Sequence, residues 1–221
     1  AAAETRLRRE PERCGPLEGL PTAIKELAPV AGQPHTLGSL AFKDVVATVT
    51  DPAVQRLLDA GAIPYARTTV PEFACASFTD SLLFGETLNP WDPSRSPAGS
   101  SGGAAVALAT HAAPLAQGSD SAGSLRLPAA ACGIVGMKPT WGVVPLRSPQ
   151  HLETSSHNGP MARDVSDLRL MFDVMAGADA QQLSGFDAHD DGPVDLAQAR
   201  FGLIDAMADI DVHPDVAANL A

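Results

Sequence analysis

Serine hydroxyls flanked by small residues occur at two places in the sequence, GSSGG at 99–103 and GSDSAGS at 118–124. A lysine, Lys25, lies upstream in the apolar stretch TAIKEL at 22–27. A serine hydroxyl is a poor nucleophile until a base takes its proton. A lysine is such a base only when neutral, and burial among apolar neighbours such as Ala23, Ile24 and Leu27 lowers its pKa in that direction. In the second run, the small residues at 121–123 leave successive backbone amides free to converge beside Ser124, an arrangement that holds a developing oxyanion. The chemistry these groups suit is acyl transfer through a serine ester.

Each feature also has a plainer account. GSSGG reads equally as a flexible linker or a helix N-cap. GSDSAGS reads as a tight turn pinned by a pairing of Asp120 with Arg126, and Lys25 as an ordinary solvated lysine. GSSGG satisfies GxSxG with Ser101 at its centre, but a nucleophile elbow needs a strand immediately before it. The preceding NPWDPSRSPA holds three prolines and no strand pattern. None of the six histidines is spaced for a metal or adjoins a serine motif, and His111, in an alanine-rich stretch, reads as a packing residue. Three widely separated cysteines without a CxxC pair suggest neither a zinc site nor a disulfide framework, which fits a reducing cytoplasm. No cofactor or metal is called for.

The elements that must position these groups follow from pattern. Residues 15–40, rich in Gly and Pro, predict a strand or short turn carrying Lys25. PAVQRLLDA at 52–60 predicts a helix with Val54, Leu57 and Leu58 on one face, ended by Gly61. AIPYA at 62–66 reads as a buried strand. Residues 89–103 predict a loop that delivers a helix over 104–113, followed by a strand at 114–118 and a short apolar helix or strand before Pro139. Residues 164–177 predict an amphipathic helix with Val165, Leu168, Met171, Phe172 and Met175 on its apolar face. FGLID at 201–205 predicts one more strand, and DVHPDVAANLA begins a helical pattern. Alternating strands and helices of these lengths predict an α/β fold with a largely covered sheet.

With 15 basic and 26 acidic residues, the formal charge of -11 argues against a broad electrostatic grip on nucleic acid or an anionic membrane and favours a small-molecule substrate. No apolar run reaches the length of a membrane span, and AAAETRLRRE lacks the apolar core of a signal peptide, so neither anchor nor export signal is expected. Homo-oligomerisation is left open.

The continuous run GSSGGAAVALATHAAPLAQGSDSAGSLRLPAAACGIVGMKPT resembles the amidase signature with its internal spacing intact. The resemblance extends through GLPTAIKELAPVAGQPHTLGS, AGAIPYARTTVPEFA and NGPMARDVSDLRLMFDVMAG, covering residues 15–180 and leaving 1–14 as an N-terminal flank. It implies the amidase signature fold, a mixed β-sheet core covered by helices, as one domain over 1–221 in partial form, because family members are considerably longer and their second half completes the sheet and the pocket. Carried over position by position, it implies Lys25 as general base, Ser100 as a cis-bonded bridging serine and Ser124 as nucleophile. The backbone of Ser121, Ala122, Gly123 and Ser124 would hold the oxyanion, with Ser101, Asp120 and Arg126 in support. Ala98 and Ala122 stand where the family favours glycine. The implied activity is hydrolysis of a linear carboxylic amide to an acid and ammonia or an amine. The alternatives are the glutaminase subunit of a tRNA-dependent amidotransferase and a catalytically incompetent fragment.

Overall fold

The computed structural model describes residues 2–147, 154–179, 195, 197–200 and 213–218. The chain divides into two compact units, residues 1–188 and 189–221. In the first, the elements run α1 (Ala2–Arg9), β1 (Pro21–Lys25), α2 (Pro52–Asp59), β2 (Ile63–Thr68), β3 (Asp80–Ser81), β4 (Gly85–Glu86), α3 (Gly102–Ala109), β5 (Leu115–Asp120), α4 (Arg126–Cys132), β6 (Val135–Gly136), β7 (His157–Ala162) and α5 (Val165–Met175). The second unit contributes α6 (Pro214–Ala218), within the expected helical segment. The strand expected at 201–205 lies outside the described residues.

Among the described residues five strands form one mixed sheet in the order β2-β1-β5-β7-β6. β2, β1 and β5 are parallel, and β7 runs antiparallel to β5 and to β6. Parallel neighbours require crossovers, which α2 and α3 supply. Strand alternation sends successive residues to opposite faces. Ile24, Leu115 and Ala162 therefore join Val54 and Leu57 of α2 and Leu168, Met171 and Met175 of α5 in one apolar cluster. Ala23, Ala116 and Met161 join Ala104, Ala105 and Leu108 of α3 and Leu125 in the other. Both faces of the sheet are thus covered, as the sequence predicts.

Three local expectations are corrected. β2 is not a buried strand: Ile63 and Tyr65 are 42% and 46% exposed, because β2 pairs only with β1 at the edge of the described sheet. Val165 lies off the apolar face of α5 and is 67% exposed, since it is the first helical residue after the N-cap Asp164. α3 starts at Gly102 and ends at Ala109, so His111 follows the helix, exposed and at φ 60, instead of packing on it.

Parallel pairing places the C-terminal ends of β1 and β5 side by side, and these ends carry Lys25 and Asp120. Ligand sites in parallel sheets form at such ends.

Candidate active site

Lys25 is the last residue of β1 and is fully buried. Its Nζ lies 2.8 Å from Ser100 Oγ and 2.9 Å from Ser119 Oγ. Burial with no ion-pair partner among the described residues disfavours the ammonium and brings the pKa down from 10.5 to about 7, against a smaller upward pull from the Asp120 charge. A substantial fraction of the amine is therefore neutral at physiological pH.

Ser100 and Ser101 occupy the loop that enters α3, and both are buried. The Gly99–Ser100 peptide is cis. Ser101 stands at the N-cap position of α3, yet its hydroxyl makes no cap bond. Instead Ser101 Oγ donates to Ser119 O at 3.2 Å and accepts from Ser119 N at 3.3 Å, clamping the loop to β5. With no strand before it and no exposure, Ser101 does not form a nucleophile elbow. The surrounding glycines serve close approach and not linker flexibility. A Cβ on Gly99 would lie 2.8 Å from Phe78 O, and one on Gly103 would lie 2.8 Å from Thr69 O. Ala98 adopts φ 60, which explains the advantage of glycine there.

The turn after β5 is organised by Asp120. Its buried carboxylate accepts from the backbone amides of Gly123 (2.7 Å) and Leu125 (3.2 Å) and from Arg126 Nε (2.9 Å) and Nη2 (3.0 Å). Burial alone would push this carboxyl up, but the Arg126 guanidinium and the two amides bring it down to about 2. The one left-handed residue of the turn is Gly123, at φ 113, so alanine at 122 strains nothing. Because Gly123 N–H is committed to Asp120, three of the four expected oxyanion amides, those of Ser121, Ala122 and Ser124, donate to no acceptor among the described residues. Ser124 is half-buried and is tied to the α3 loop by its carbonyl, which accepts from Ser101 N at 3.3 Å. Its hydroxyl has no hydrogen-bond partner among the described residues, so the structure joins Lys25 to Ser100 directly and Ser124 to that pair through the backbone.

Gly118 is where β5 passes under this turn. A Cβ there would lie 2.6 Å from Leu125 Cδ2 and 3.0 Å from both Met161 Sδ and Ser101 Oγ. Gly118→Ala is expected to destabilise the protein by about 1–3 kcal/mol through overpacking, read as a lower denaturation midpoint.

Ser119 belongs to neither expected role, although it contacts the lysine as closely as Ser100 does. Its only signal in the sequence is its place in the strand that leads into the second serine run. Beside it opens a cavity of about 830 Å³, walled largely by aliphatic side chains including Leu27, Leu37, Val45 and Val49, with Ser119 and Ser121 on its border. Among the described residues no group of three His, Cys, Asp or Glu side chains is arranged to hold a metal ion. No helix among them is long and apolar enough to cross a membrane.

A family model described as Amidase matches residues 1–221. The chain belongs to the amidase family. Among its relatives, a glutamyl-tRNA(Gln) amidotransferase subunit from Methanosarcina barkeri is 39% identical over 207 residues, covering 91% of this chain and 44% of that protein. An acylamidase of Rhodococcus erythropolis is 44% identical over 180 residues, covering 81% of this chain and 38% of that amidase. Among solved structures, a bacterial aryl acylamidase of the amidase signature family superposes with a TM-score of 0.80 at 32% identity, covering 86% of this chain and 40% of its own. The chain thus spans about two fifths of the length of these proteins, and its mixed sheet with flanking helices matches the corresponding part of the solved aryl acylamidase.

Proposed function

We propose that this protein hydrolyses a linear carboxylic amide through an acyl-enzyme on Ser124, with Lys25 as general base and Ser100 as the proton bridge. The observation that carries the reading is the 2.8 Å contact between Ser100 Oγ and the amine of a fully buried lysine whose pKa falls to about 7. The neutral amine takes the proton of Ser100, which takes that of Ser124 as the Ser124 oxygen attacks the amide carbonyl. The developing oxyanion is met by the amides of Ser121, Ala122 and Ser124, and Gly123 N–H instead holds Asp120, which fixes the turn's shape. The proton then returns through Ser100 to the leaving nitrogen, releasing ammonia or an amine. Water enters by the same relay and frees the acid. The open relay contact between Ser100 and Ser124 closes when substrate is bound, as catalytic hydrogen bonds commonly do.

The aliphatic walls of the neighbouring cavity favour amides with an apolar substituent. The kinship with an amidotransferase subunit supports glutamine as the second reading. Three free cysteines fit action in a reducing cytoplasm. The two substrate readings separate in an acyl-transfer assay with hydroxylamine as acceptor. Incubation with hexanamide is expected to yield hexanohydroxamic acid, and Ser124→Ala to yield none. Hydroxamate formed from glutamine alone would favour the amidotransferase reading, and hydroxamate formed by Ser124→Ala would overturn the acyl-enzyme.

A further inference from the structure

The backbone pairing of β1 with β5 ends one residue short of the lysine. Its last pair is Ile24 with Gln117, and the N–H of Lys25 is taken up by a side chain, Gln117 Oε1, at 3.2 Å. The orientation of that amide is set from beyond. Gln117 Nε2 donates to Asn158 Oδ1 at 3.0 Å and to Gly118 O at 2.8 Å. Asn158 Nδ2 in turn donates to Asp51 Oδ1 at 3.0 Å and to Pro145 O at 3.1 Å. Asp51 caps α2, its Oδ1 accepting from Ala53 N at 3.0 Å and Val54 N at 3.4 Å, and its Oδ2 accepts from Arg147 N at 3.3 Å.

All three side chains are buried, at 0–1% exposure, and each amide has one orientation that satisfies its partners. A carboxylate accepts only, so it fixes Asn158 with its NH₂ toward Asp51. That presents the Asn158 oxygen to Gln117, whose own oxygen then points at Lys25 N–H. The chain of bonds runs from the start of α2 across β7 and β5 to the lysine, on the face opposite α3. Ser100 approaches Lys25 from the loop before α3. The backbone carrying the amine is therefore anchored from the side of the sheet away from its catalytic partner.

We propose that Gln117, Asn158 and Asp51 are positioning residues that fix the backbone of Lys25, and hence the aim of its amine at Ser100. This rests on the reading of Lys25 as general base. Without the relay the backbone of Lys25 keeps its pairing with Thr68 of β2, a strand at the edge of the described sheet, and the turn bond from Ala28 N to its carbonyl at 2.9 Å, but its own N–H is left without an acceptor. Misplacement of a catalytic group by an ångström costs on the order of a hundredfold in rate.

The test combines backbone amide exchange with kinetics on the purified protein carrying Gln117→Leu, Asn158→Leu and both. Gln117→Leu is expected to speed exchange of the Lys25 amide by about tenfold or more. Gln117 and Asn158 also border the cavity, so KM is free to change, but kcat at saturating substrate is expected to fall by about tenfold to a hundredfold. The double variant should show no further loss, because the two residues act through one bond chain. Should Gln117→Leu not fold, Asn158→Ala carries the same expectation in kind, since it unlocks the Gln117 amide and leaves the strand intact. Unchanged exchange at Lys25, an unchanged kcat, or losses that multiply in the double variant would each overturn the proposal. Failure of the base reading is distinguishable: the wild type would form no acyl-enzyme, yet exchange at Lys25 would still respond to both substitutions.

Discussion

Lys25→Met is expected to abolish turnover and, at neutral pH, to make the protein more stable. The loss of activity follows from removing the only titratable side chain in contact with Ser100 among the described residues, and should reach about a thousandfold or more, because general-base assistance and nucleophile activation disappear together. The gain in stability follows from linkage. In the unfolded chain this lysine titrates at 10.5, and in the folded protein at about 7, so between those values the unfolded state binds the extra proton. Stability then rises with pH by about 1.4 kcal/mol per unit across that window, and below it the buried amine costs the fold about 5 kcal/mol relative to a lysine with an ordinary pKa. Methionine fills much the same volume without that cost. The hydroxyls of Ser100 and Ser119 lose a partner, at about 1 kcal/mol each, which leaves a net gain of about 2–4 kcal/mol at pH 7. Denaturant unfolding at pH 7 and pH 9 checks both the sign and its decline, since the advantage shrinks as the wild-type pKa window is crossed. A variant less stable than wild type at both pH values would contradict a neutral, desolvated lysine.

The second large effect concerns the turn that carries Ser124. Asp120→Ala removes the acceptor for three backbone amides, those of the buried Gly123, of Leu125 and of Arg126, and for a two-pronged contact from the Arg126 side chain. Arg126 is 55% exposed at its side chain and turns to water, but the amides of Gly123 and Leu125 do not. A loss of about 3–5 kcal/mol is expected in denaturant unfolding, together with activity reduced by about a thousandfold as the amides around Ser124 lose their convergence. The pH dependence has a definite sign. With a folded pKa of about 2 against an ordinary 3.8, Asp120 contributes stability that is present above pH 3.8 and is lost as pH falls through about 2. Asp120→Asn, which keeps one acceptor oxygen, should retain more of the fold. It also removes the negative charge that favours protonated Lys25, so its activity profile is expected to shift toward lower pH.

What points to this site in the sequence is the resemblance of contiguous runs to the amidase signature, since each run alone also has a plainer account. The two serine runs, the lysine stretch and the helices that follow them are contiguous patterns, and the fold class follows from their alternation. What escapes depends on strand order. Ser119 meets Lys25 across 94 residues, and Asn158 meets Asp51 across 107, contacts that exist only because β5 lies between β1 and β7. The exposure of Ile63 and Tyr65 has the same cause, since an apolar strand sequence does not reveal whether it stands at an edge. The role of Gly123 is hidden for a different reason: a small-residue turn offers its amides to any acceptor, and the sequence does not say that Asp120 claims that one.

The most direct test is the rate at which a fluorophosphonate modifies Ser124, followed by intact mass from pH 5 to pH 9. The account predicts one adduct that is absent in Ser124→Ala, a rate that rises with an apparent pKa near 7, and a fall to background in Lys25→Met. A rate independent of pH, or undiminished in Lys25→Met, would contradict a neutral Lys25 as the base that activates Ser124.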